Sequence, residues 1–179
     1  MYKPLLHYWF SDEVSQYWFN APPDFDHYLR ETYVDLWEQG KNGDLNDWGE
    51  QADGSLALVI LLDQLPLNMF RGTAKSFSTE AQSRVVASMA LERQFDLDMP
   101  AQRRAFLYMP FMHSENLDDQ ARSLQLFNQP GLEHNFRFAR HHHAIIEQFG
   151  RFPHRNEILG RESSAAEIEY LNSEHAFTG

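Results

Sequence analysis

The sequence contains no cysteine. That excludes disulfides, thiolate nucleophiles and cysteine-based metal sites. Cations are scarce: 15 Lys plus Arg stand against 26 Asp plus Glu, a formal net charge of −11. Such a balance argues against nucleic acid or an anionic membrane as the main partner. Long apolar runs are missing too. The longest one away from proline, Leu56 to Leu62, is too short to span a bilayer. No signal-peptide apolar stretch follows Met1-Tyr2-Lys3-Pro4, so a soluble, cytoplasmic protein is expected. Gly-x-Gly-x-x-Gly, a phosphate loop, His-Glu-x-x-His and Gly-x-Ser-x-Gly are all absent. No cofactor is expected, and no reaction is named by motif.

What is present is a core. Hydrophobic residues make up 42% and aromatics 14% of 179 residues, enough for a single domain over residues 1–179. Alternation of the strand type never persists, whereas helical spacing recurs. Tyr8-Trp9-Phe10 and Tyr17-Trp18-Phe19 read as a short helix and turn. A helix opens at Pro22-Pro23 and runs through Phe25, Leu29, Tyr33 and Leu36, with Gly40 as its stop. A loop follows to Gly54, pinned by Trp48. Ser55 is placed to cap a helix that is apolar all round, hence central, and interrupted at Pro66. Residues 68–73 read as a turn. The helix over 79–94 should turn Ala81, Val85 and Met89 inward, with Val86 and Ala90 as further candidates. Next come a helix over 101–109 ending at Pro110, one running to about Asn128, and one over 133–149 stopped by Gly150. Ser164-Ala165-Ala166-Glu167 is a capping box opening the last helix, and the tail beyond should be loose. Seven to eight helices with short connections make an all-α domain of antiparallel pairs.

Several polar residues sit where apolar ones should. Asp63 and Gln64 continue the line of Leu56, Val59 and Ile60, and a lone buried carboxylate is costly unless paired. They either tie down the following turn or belong to a site with Asn68 and Arg71. His142 shares a helical stripe with Ile145, Ile146 and Phe149, so it is a core histidine or a ligand. His113-Ser114-Glu115 stands at a helix entrance, where Ser114 can cap and Glu115 can complement the macrodipole. His-x-Glu also occurs in zinc deaminases, but those need cysteines this chain lacks. His113, Glu115, His142 and His154 are of metal-ligand type, yet their spacing carries no signature, and no metal is expected. Finally, Arg151, His154, Arg155 and Asn156 crowd an aromatic-rich connection, and half-buried cations need partners.

These segments together resemble the bacterial domain-of-unknown-function-924 family. The resemblance covers nearly the whole chain. It rests on Tyr8-Trp9-Phe10, Trp18-Phe19, Phe25-Asp26, Leu61 to Pro66, Asn68 to Thr73, Tyr108 to Glu115, Gln120, Phe149 to Asn156 and Leu159 to Ser163. It implies a tetratricopeptide-like right-handed superhelix, and no chemistry. Leu65 and Leu67 replace an aromatic and an arginine of the family pattern. The arginine lost is a cation beside Asp63; if the family site binds an anion through it, this chain is expected either to bind more weakly or to use Arg71 instead.

The three polar words are expected to converge. The favoured reading is a binding module holding a peptide or an anionic small molecule, with Arg71, Arg151 and Arg155 as donors. One alternative is an enzyme with Glu115 or Asp63 as base and His113, His142 or His154 as acid. The other is a purely structural clamp. Sequence leaves the oligomeric state open.

Overall fold

The structure is a computed structural model that describes residues 2–177. It is all-α: no strand occurs among the described residues. The chain forms two compact units. One comprises the chain up to Arg71 together with Lys75–Pro110. The other comprises Gly72–Ala74 and everything from Phe111 onward.

The first unit contains α1 (Lys3–Trp9), α2 (Asp12–Ser15), α3 (Pro23–Asn42), α4 (Ala52–Val59), α5 (Leu65–Met69), α6 (Glu80–Glu92) and most of α7 (Ala101–Met112). Its spine is the continuous run from α4 through a wide-turn π segment, Ile60–Gln64, into α5. Every residue from 54 to 66 is buried, as an apolar-all-round helix requires. α1, α3 and α6 pack around this spine.

Proline does not stop the spine at Pro66, contrary to the sequence-based expectation. A proline in an α-helix leaves the carbonyl four residues earlier without its donor and crowds it. Here that carbonyl is Leu62. The wider π turn, in which the Leu65 N–H reaches Ile60 O, makes room for the ring. The Thr79 hydroxyl then donates to Leu62 O at 2.6 Å and accepts the Trp37 indole N–H at 3.1 Å. Asn68 and Met69 are therefore helical, not part of a turn.

Other local expectations fail for equally specific reasons. α3 passes Gly40 and stops at Gly43, which takes the left-handed φ of 86°. Gly40 serves packing instead: a Cβ there would lie 3.1 Å from Leu61 Cδ2. Gln51, not Ser55, is the N-cap of α4, and the Ser55 hydroxyl donates to Gly49 O at 3.1 Å. Part of the expected loop is a 3-10 turn, Asn46–Glu50, with Trp48 buried as foreseen. In α6 the inward face is Glu80, Ser83, Ala87 and Ala90. Val85 and Met89 are 60% and 42% exposed. Small residues win that face because they let α6 approach the crowded spine closely. α7 continues two residues past Pro110, since the bond proline forfeits falls in the last turn.

In the second unit, α8 (Leu117–Phe127) and α9 (Glu133–Phe149) form a hairpin closed by residues 128–132. Gly150 stops α9 at φ 70°, as its position foretold. A connection containing a 3-10 turn, Pro153–Arg155, leads to α10 (Ala165–Leu171), which opens with the complete Ser164/Glu167 capping box. Residues 172–177, the described part of the segment after α10, are not loose. They fold back and pack Phe177 against Phe152, Ile145 and Ile146.

Candidate functional site

The predicted site residues fall into both units. Asp63, Gln64, Asn68 and Arg71 lie in the first. His113, Ser114, Glu115, His142, Arg151, His154, Arg155 and Asn156 lie in the second.

In the first unit, Asp63 is fully buried and Gln64 donates to its carboxylate. Asn68, one turn further on, donates to Gln64 O at 3.1 Å and accepts Arg71 Nη2 at 2.9 Å. Arg71 is thereby aimed at Asp26 of α3: Nε donates to Oδ2 at 2.6 Å and Nη2 to Oδ1 at 3.1 Å. The Asp26 hydrogen bond raises the Arg71 pKa above its ordinary value against the opposing effect of burial. This bidentate pair sits in a cleft of ≈ 260 Å³ lined by Pro23, Asp26, His27, Arg30, Asn68, Met69 and Arg71. Asp26 is the lining's single carboxylate, and Arg71 already spans it. Arg30, one turn after Asp26, adds a second guanidinium, 5.8 Å above the Phe70 ring. His27 stands beside it, 3.3 Å from Glu31. Sequence reading singled out neither Arg30 nor His27. The available signal was their helical spacing from Asp26, itself quoted only as part of a family word.

In the second unit, the predicted residues do assemble, around a carboxylate. Glu115 is not in the first turn of α8. Asn116 caps that helix, accepting Asp118 and Asp119 N–H, while the Ser114 hydroxyl donates to Asp119 at 2.6 Å. Glu115 is therefore free to turn to the connection. Its Oε1 accepts the Phe152 N–H at 2.8 Å, and both its oxygens accept Arg161, at 2.7 and 2.9 Å. Burial pushes the Glu115 carboxyl up, but Arg161, the Phe152 N–H and nearby Arg155 outweigh it and the net shift is downward. Arg161 also donates to Asn156 Oδ1 at 2.9 Å. Asn156 donates to Ser163 at 3.0 Å. Arg151 forms a second bidentate pair, to Glu167 at 2.6 and 2.8 Å, and adds Glu162 O at 2.8 Å. Glu167 thus fills two roles, as the capping-box residue and as the counterion of Arg151, and its pKa drops to about 2, chiefly because of Arg151. Arg155 is buried, stacks 4.7 Å from the Phe152 ring centroid and donates to His113 O at 3.1 Å.

His142 and His154 are poor proton carriers. His142 is buried, as its spacing implied, and its Nδ1 pairs with Phe138 O at 2.8 Å. A carbonyl can only accept, so Nδ1 carries the hydrogen and Nε2 keeps a lone pair. Burial pulls the His142 pKa to about 3 and that of His154 to about 4. A proton shuttle near neutral pH needs a pKa close to the operating pH. Among the described residues no group of three or more metal-ligating side chains could hold an ion. No helix there is long and apolar enough to cross a membrane. Arg161 and Phe177 escaped the sequence-based list. Arg161 stood in the Leu159 to Ser163 word, but its partner Glu115 lies 46 residues earlier, beyond any local pattern.

A family model described as a bacterial protein of unknown function, DUF924, matches residues 5–175. A solved structure of a protein of unknown function from Agrobacterium tumefaciens is 37% identical, with a TM-score of 0.90 over 96% of each chain. No curated protein matches.

Proposed function

The chain belongs to DUF924, a family of bacterial proteins of unknown function, and from that footing we propose that it binds a small anionic molecule in the cleft between α3 and the end of α5. The observation that carries this reading is the Asp26–Arg71 pair. A lone acid in the lining would oppose an anion, but Arg71 neutralises it bidentately and is itself fixed by Asn68. Arg30 then leaves the cleft with an excess of positive charge on a protein whose net charge is −11. A guanidinium held in place loses less conformational freedom when a carboxylate or phosphate arrives, and charge-assisted bonds are the stronger kind.

Titration calorimetry with inorganic phosphate and with citrate tests the proposal. Arg30→Met and Arg71→Met should each weaken binding of the better probe at least tenfold, and the wild-type affinity should fall with added salt. Arg151→Met should leave it unchanged. Absence of binding to either probe at millimolar concentration, or equal binding by all variants, would refute it.

A second reading belongs to the second unit. The bidentate pairs Glu115–Arg161 and Arg151–Glu167 support a structural clamp that fixes the connection between α9 and α10.

A further inference from the structure

We propose that the histidine-lined slot over Phe152 in the second unit is a site for an aromatic side chain of a peptide, and that the chain's own segment after α10 is its tethered competitor. The slot is visible because it is filled. The Phe177 ring lies 4.4 Å from His142, 5.0 Å from His154 and 6.3 Å from His141, centroid to centroid, each at a steep angle. Phe152, fully buried, borders two of these imidazoles, 5.4 Å from His142 and 5.7 Å from His154. Three imidazoles thus surround one aromatic group edge-on, the arrangement ring quadrupoles favour. The walls are mixed, since Phe177 also packs on the apolar cluster of Ile145, Ile146 and Phe152. His142 directs its Nδ1 hydrogen to Phe138 O, which leaves Nε2 as an acceptor. An aromatic side chain flanked by peptide N–H groups suits such a lining better than an aliphatic one.

The filling segment is lightly held. Its backbone ties are the Phe177 N–H to Tyr170 Oη at 2.9 Å, Ala176 N–H to Ser173 O at 3.2 Å and His175 N–H to Ser173 Oγ at 3.3 Å. Residues 172–175 are exposed. Displacing the Phe177 ring need not disturb the Glu115–Arg161 and Arg151–Glu167 pairs, which other residues make. The site shares no residue with the anion cleft, so each proposal stands or falls alone.

The test follows imidazole NMR signals of the full chain during titration with N-acetyl-phenylalanine amide. Phe177→Ala should bind this probe at least tenfold more tightly than the wild type, with the shifts at His142 and His154. N-acetyl-alanine amide should move neither signal. Phe177→Trp, which keeps a ring in the slot, should behave as the wild type. Tyr170→Phe keeps every ring and removes the hydroxyl that anchors Phe177 at 2.9 Å and touches His141 at 3.5 Å, so it gives a milder opening and a several-fold gain even if Phe177→Ala folds poorly. The idea is overturned if neither opening variant binds the phenyl probe better than the wild type, or if the alanine probe binds as well.

Discussion

Glu115 shows how far a single residue can be read. Its chemical type and its place in His113-Ser114-Glu115 marked it as interesting, and its role as a first-turn helix acid was a reasonable local inference. What the local pattern could not carry is that Asn116, one position later, is the better cap and releases Glu115 toward residues far along the chain. Its partner Arg161 is 46 positions away. Both side chains are about a quarter exposed, 27% and 24%, so the pair lies between a surface ion pair and a buried one. Glu115→Gln keeps an acceptor for the Phe152 N–H but removes the charge facing Arg161. The expected loss is on the order of 1–3 kcal/mol in denaturant unfolding. Combined with Arg161→Met, the losses should be clearly less than additive, because the two residues act as one unit. Additive losses in that cycle would mean that Arg161 draws its anchorage from Asn156 and Phe152 instead.

At the scale of elements, helix ends were legible where a cap is a local pattern. The Ser164/Glu167 box and the Gly150 stop both stand where spacing placed them. Ends signalled by proline were misread, because a proline's cost depends on what else can serve the orphaned carbonyl. Thr79 serves Leu62 from 17 residues away, which no window around Pro66 contains. Thr79→Val, nearly isosteric, leaves the Leu62 carbonyl and the Trp37 N–H both buried and unsatisfied. A loss of about 2–4 kcal/mol follows from the usual cost of such groups, while Thr79→Ser should lose far less. Thermal unfolding of the two variants side by side checks this. The start of the same spine offers a second test. A Cβ on Gly54 would fall 2.1 Å from the Trp48 carbonyl oxygen, a backbone atom. Backbone cannot swing aside as a side-chain tip can, so Gly54→Ala should cost about 3 kcal/mol or more. A variant as stable as the wild type would mean that the 3-10 turn at Trp48 shifts freely.

Across the whole molecule, the all-helical class was legible because helical spacing recurs, as in Phe25, Leu29, Tyr33 and Leu36 and in His142, Ile145, Ile146 and Phe149. The candidate sites were less so, since each depends on which helix faces another, and Arg30 and Phe177 contribute only through that placement. The buried histidines have a consequence for the molecule's response to acid. His142 and His154 have folded pKa values depressed to about 3 and about 4, first by burial, against about 6.5 in the unfolded chain. Between those limits the unfolded state binds protons that the folded state refuses. Stability therefore falls as pH drops below about 6.5, by at most about 1.4 kcal/mol per pH unit for each histidine. Glu167 acts in the same direction lower down. Its folded pKa of about 2 lies below the ordinary carboxyl value, so its contribution is lost as pH falls from about 4.5 toward 2. Urea midpoints measured at pH 7, 6, 5 and 4 should decline steadily in the wild type. In His142→Gln the decline between pH 6 and 4 should be shallower, whatever that variant's stability at pH 7, because one of the two proton-refusing groups is gone. Parallel slopes for the two proteins would show that His142 accepts its proton in the folded state as readily as in the unfolded one, and that its burial against Phe152 and Phe177 opens easily in solution.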